Sequence, residues 1–147
     1  ELAMILGHEL AHNILDHVGK KTAQATAGML GGLLLDAFVG TRGQFSRLGG
    51  QLGARAFSPA YESEADYMGL YATARAGYNI QKAPYLWRRM GARNTGSIVL
   101  TSTHPPTAER FVALEKTVQE IQKKQSQGAP LVPDAKNHKN PSKEKNE

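Results

Sequence analysis

Cysteine is missing from all 147 residues. Disulfides and thiolate metal sites are therefore excluded, and any bound metal must be held by His, Asp or Glu. Aromatics are sparse, at 7% with a single Trp. No basic run carries interleaved aromatics, so nothing points to nucleic acid. The apolar run AGMLGGLLLDAFVG falls short of the roughly 20 residues that a membrane-spanning helix needs, and Asp36 interrupts it. No signal peptide or initiator Met precedes Glu1, which already reads as helical. A start of this kind reads as a fragment or processed chain whose localisation signals lie elsewhere. No internal repeat and no convincing β hairpin is visible.

What is present suits one domain with a sizeable core. Residues 1–19 read as a helix, because Leu2, Ile5, Leu6, Leu10, Ile14, Leu15 and Val18 recur at helical spacing and Gly19 supplies a stop. The apolar positions cover much of its circumference, so a central, buried helix is expected. Residues 20–57 are rich in Gly and Ala and suit a packed helix, a helical hairpin, a lid or an interfacial segment. Residues 58–77 read as a second strong helix, with Ser58 as N-cap, Pro59 in the first turn and Gly77 as the stop. Further helices are expected over 80–93 and from Pro106 through TAERFVALEKTVQEIQKK, joined by a loop, NTGSIVLTSTHPP. The fold reads as mostly α. Residues 1–125 form the expected domain, and the polar segment 126–147 reads as a disordered tail. The net charge is +5. The tail carries about one unit of it and the rest is scattered, which leaves weak attraction to an anionic membrane surface open.

The chemistry starts in LGHELAH. On an α-helix each residue turns about 100°, so His8 and His12 differ by about 40° and lie one turn apart. Their imidazoles can converge on one ion. Glu9 sits beside that ion, where its carboxylate can take a proton from water and pass it to a leaving amine. This geometry is why H-E-x-x-H suits zinc proteases. His17 is turned about 140° from His12 and should not reach the same ion. It reads instead as a helix C-terminal histidine facing the dipole.

A catalytic zinc usually takes three protein ligands and leaves one position open. His104, His138 and the carboxylates of SPAYESEADYMG are the candidates, and His138 sits in the polar tail. Glu62 and Asp66 are spaced i, i+4 and share a face, while Glu64 is turned about 200° from Glu62. The spacing offers a Glu62/Asp66 face or a Glu64 face, but not both.

LGHELAH, then SPAYESEADYMGL about fifty residues on, then STHPPTAER, resembles the HtpX-like zinc metalloproteases of peptidase family M48. That family includes the CAAX prenyl proteases, the bacterial heat-shock protease HtpX and periplasmic proteases that monitor outer-membrane assembly. The resemblance spans roughly residues 1–120. It implies a zincin-like, gluzincin-type helical core, without the substrate-binding strands that usually precede this helix. The family's second motif is similar to S-R-x-x-E-x-x-A-D, which implies Glu62 as third ligand and Asp66 as the group that orients a ligand histidine. Pro59 stands where the family often has Arg. The resemblance also implies that His104 and Arg110 line the cleft, contacting substrate or stabilising the oxyanion. In some relatives the loop histidine approaches and regulates the zinc.

The expected activity is a metalloendopeptidase with one Zn²⁺ per chain on His8, His12 and Glu62. A zinc-activated water attacks the peptide bond with Glu9 as general base. The expected partner is a polypeptide, with peripheral membrane contact and a place at a membrane, cell envelope or periplasm. A non-catalytic zinc-binding or scaffold module is one alternative. A membrane-surface helical protein with incidental histidines is another.

Overall fold

The computed structural model describes residues 1–55, 58–93, 104 and 107–134. Its regular elements among those residues are six α-helices, in keeping with the expected mostly-α architecture: α1 (Leu2–Ile14), α2 (His17–Val39), α3 (Gln44–Arg55), α4 (Ser58–Arg75), α5 (Ala83–Arg93) and α6 (Ala108–Ser126). The loop expected over 94–106 lies outside the described residues apart from His104. So does the polar tail from 135 onward. Two compact units divide the chain, the first of residues 1–11 and 62 onward and the second of residues 12–61, and their boundaries fall inside helices α1 and α4.

The first unit holds the core. Met4 of α1 joins Tyr67, Leu70, Tyr71 and Ala74 of α4, Leu86 of α5, and Leu114, Val118 and Ile121 of α6. The expectation of a central, buried helix is corrected for α1. Met4, Gly7, His8 and Ala11 face inward, but the i, i+4 series Leu2, Leu6, Leu10 and Ile14 is exposed, with Leu2 at 69%. Its apolar width records two faces, only one of which packs within the described residues.

The α1–α4 crossing is made by glycines. A Cβ built at Gly69 would stand 2.7 Å from His8 N and 2.8 Å from Gly7 C. Only hydrogens at positions 7 and 69 let the two backbones come this close. α4 then ends as its sequence predicts. Gly77 adopts φ 81°, and Tyr78 N–H donates to Thr73 C=O at 3.2 Å, closing the last turn. Beyond α6 the chain stays in contact with this unit as far as it is described. Leu131 packs on the core, and Asp134 N–H donates to the Tyr67 hydroxyl at 2.9 Å.

The second unit contains an α2–α3 hairpin. The single helix expected over 1–19 is in fact two, because Asp16 takes the left-handed conformation (φ 51°) and caps α2. Its carboxylate accepts from Gly19 N–H at 3.2 Å, and a Cβ at Gly19 would stand 2.5 Å from that carboxylate. Gly19 therefore helps to start a helix rather than to stop one. α2 and α3 pack glycine against backbone. A Cβ at Gly28 would lie 2.1 Å from Gly49 O, and one at Gly32 would lie 2.1 Å from Phe45 O. Asp36 closes the turn by accepting from Phe45 and Ser46 N–H at 3.0 and 2.9 Å and from the Thr41 hydroxyl. Burial pushes the Asp36 carboxyl up, but those donors together hold it well below its ordinary range.

Candidate active site

Two helices and one loop residue bring the site together. α1 contributes His8 and Glu9, and His12 follows one turn along the same helix. α4 contributes Glu62 and Asp66, also one turn apart. The glycine crossing sets the separation of these two helices next to His8. His8, Glu62 and Asp66 are all buried, whereas Glu64 on another face of α4 is half-buried.

Glu62 is the shared acceptor. Its Oε2 lies 3.3 Å from His8 Nε2 and 2.8 Å from His104 Nδ1. His104 Nδ1 also stands 3.3 Å from His8 Nε2, with the rings edge-on, and its Nε2 is 3.5 Å from Glu9 Oε1. On the other side of the His8 ring, Nδ1 is 2.9 Å from Asp66 Oδ1. Burial pushes the His8 imidazole down, but its bonds to Asp66 and Glu62 push it further up, so its pKa ends above the ordinary value.

His8, His12, Glu62 and His104 each offer a ligand atom, and these atoms all lie within 4.8 Å of one another. Imidazole nitrogens and a carboxylate oxygen are the donor types that Zn²⁺ takes, and burial of His8, His12 and Glu62 keeps competing water low. The residues present therefore fit a zinc ion. Glu9, with its side chain about two-fifths exposed, lies beside the cluster and open to solvent.

Arg110 and His17 take partners that their sequence positions did not indicate. Arg110 was expected to line the cleft, but it is 2% exposed. Its Nε and Nη2 donate to the two Asp66 oxygens at 2.6 and 2.8 Å, and Nη1 is 3.4 Å from Glu62 Oε2. A guanidinium fork on a buried carboxylate holds that carboxylate in place. Thr107 caps α6 by accepting from Arg110 N–H at 3.3 Å, which sets the residue at the first turn.

His17 was expected at a helix C-terminus. It stands at the start of α2 and is fully buried. Its Nδ1 is 2.9 Å from His12 Nδ1, and its ring stacks on Tyr61 at 4.6 Å between centroids. It is outside the ligand cluster but touches a member of it. The available signal was Asp16 followed three residues later by Gly19, a cap that breaks the helix and redirects the next side chain.

The family model for peptidase family M48 matches residues 1–118. The chain belongs to peptidase family M48. Among curated proteins, this M48 chain is 33% identical over 127 residues to the mitochondrial metalloendopeptidase OMA1 of Schizosaccharomyces pombe, covering 84% of this chain and 38% of the relative. It is 30% identical over 122 residues to the protein of the same name from Saccharomyces cerevisiae, covering 78% and 35%. A third, from Arabidopsis thaliana, is 31% identical over 117 residues, covering 75% and 23%. The M48 chain thus spans 23% to 38% of the length of these three relatives. No solved structure matches it.

Proposed function

We propose that this M48 chain carries the peptide-hydrolysing centre of a zinc metalloendopeptidase. The observation that carries the reading is the convergence of His8, His12, Glu62 and His104 beside Glu9. His8, His12 and Glu62 would hold the ion, with His104 within reach of it. Zn²⁺ there would polarise the scissile carbonyl as a Lewis acid and make a neighbouring water acidic. Glu9 takes the proton from that water and delivers it to the departing amide nitrogen. Asp66 holds the His8 ring from its outer nitrogen, and Arg110 holds Asp66. His12 Nδ1 lies 2.9 Å from His17 Nδ1, and a proton held between these two nitrogens would leave His12 Nε2 for the metal. His104 serves at the rim, where it can meet the metal or the developing oxyanion.

The substrate on this reading is a polypeptide, and the workplace is a membrane. The relatives named mitochondrial support a mitochondrial compartment, and the sequence resemblance extends the choice to a bacterial envelope. The deciding experiment compares the wild-type chain with Glu9→Gln. Both should bind one zinc, and only the wild type should cleave an unfolded protein substrate. Cleavage by Glu9→Gln at the wild-type rate would refute the mechanism. Zinc without cleavage in either chain would leave a metal-binding module.

A further inference from the structure

We propose that the α2–α3 hairpin is a membrane-docking element that lies in the interface of an anionic bilayer. This deepens the proposed membrane association and is independent of the hydrolytic chemistry. α2 has two sides. Gly28, Gly32 and Asp36, spaced i, i+4, meet α3. About 180° round the helix, Leu30, Leu34 and Phe38 form another i, i+4 series. All three are exposed, Leu34 at 74% and Phe38 at 90%, and Leu33 beside them is exposed too. The glycine seam satisfies the hairpin's own packing, so this apolar side is left for something else. A large, contiguous, exposed apolar face is uncommon on soluble surfaces.

Charge selects the occupant. Residues 17–55 carry Lys20, Lys21, Arg42, Arg47 and Arg55 against Asp36 alone, five cations to one anion, or four of the chain's five net positive charges. Asp36 is buried and spent on the α3 turn. An apolar face on a cationic hairpin suits lipid bearing anionic headgroups.

Length selects the depth. By length and composition α2, with 23 residues, is the one described helix that could cross a membrane. Its first turns, however, hold Lys20, Lys21, Thr22, Gln24 and Thr26. The apolar part is the 13 residues 27–39. At about 1.5 Å per residue that is roughly 20 Å, against a hydrocarbon core of about 30 Å. α3, with 12 residues, is equally short, and Arg42 sits in the turn between them. The hairpin therefore lies along the interface and does not span it.

The test uses the full chain carrying Glu9→Gln, so that binding is read without proteolysis. It should sediment with phosphatidylcholine vesicles containing phosphatidylglycerol, and more weakly with phosphatidylcholine alone. Leu34→Glu with Phe38→Glu should lower partitioning at least about tenfold at unchanged helicity and zinc content. Arg42→Glu with Arg47→Glu should remove the preference for anionic vesicles. Should the apolar pair variant fold poorly, Phe38→Cys can be labelled with a polarity-sensitive dye, since the chain has no other cysteine. A blue shift on vesicles is then expected. Equal sedimentation of the Leu34/Phe38 variant, or no dye shift, overturns the proposal. So does self-association in lipid-free solution that the same pair abolishes while vesicle binding is absent, because the face would then belong to a second copy. Vesicle binding by a chain whose wild type never cleaves would sink the hydrolytic reading alone.

Discussion

Gly7 and Gly69 meet backbone to backbone, and His8 hangs from that contact. The three atoms nearest to a Cβ at Gly69 are main-chain, His8 N, Gly7 C and Gly7 O, at 2.7 to 2.9 Å. None of these can swing aside as a side-chain tip could. The helix carrying His8 and the helix carrying Glu62 and Asp66 are spaced by this crossing.

Gly69→Ala should therefore cost about 1–3 kcal/mol in urea unfolding, the usual range for overpacking. It should also weaken zinc binding, because α1 must move away from Glu62. A variant with wild-type stability and wild-type zinc affinity would show that the crossing has slack.

Arg110 is a buried partner of Asp66 and Glu62. Arg110→Met should destabilise the chain by about 3–5 kcal/mol, because two buried carboxylates lose their cation. Arg110→Lys should recover little, since a point charge cannot reproduce the two-pronged bond. A normal denaturation midpoint with a raised KM would return Arg110 to the substrate cleft.

His17→Phe keeps a ring to stack on Tyr61 and removes the nitrogen beside His12. Zinc dissociation should become about 10- to 100-fold easier, as for other partners of metal-binding histidines. Helicity should not change. Cobalt substitution offers a second readout, as the visible bands should shift when His12 loses its partner. Identical affinity and spectrum in the variant would remove His17 from the site.

The pH response should reverse with metal. His8 has its pKa raised above the ordinary 6.5 by Asp66 and Glu62, against the opposing effect of burial. A raised folded-state pKa means that the metal-free chain gains stability from protonated His8 below 6.5 and loses it as pH climbs through the raised value. Zinc needs the same imidazole neutral, so its affinity should rise over that window and its uptake should release a proton. Thermal unfolding with and without chelator, from acid to mildly alkaline pH, reads both slopes. Parallel slopes would contradict the assignment, and His8→Gln should flatten the metal-free one.

Much of the site was legible because its parts are local. The spacing of His8, Glu9 and His12 needs only helical geometry, and so does the shared face of Glu62 and Asp66. The choice between that face and Glu64 came from the family resemblance, and Glu62 is the one that joins the ligand cluster. Less local features were hidden. Asp16 looked like a residue inside one long helix, and only its left-handed backbone explains why His17 turns back toward His12.

The sequence by itself determined the helix from Ser58, its closure at Gly77 and the donor types available for metal, because capping, periodicity and the absence of cysteine act over a few residues. Only the tertiary structure decided which side of each helix is used. It placed Arg110 against Asp66, and it left Leu2, Leu6 and Leu10 in the open while burying His8, His12 and His17. On the hairpin it turned the glycines inward and Leu34 and Phe38 outward. The reason is physical. An apolar or charged residue has the same propensity on either face of a helix, and only the neighbours brought by the fold determine whether it is covered, paired or exposed.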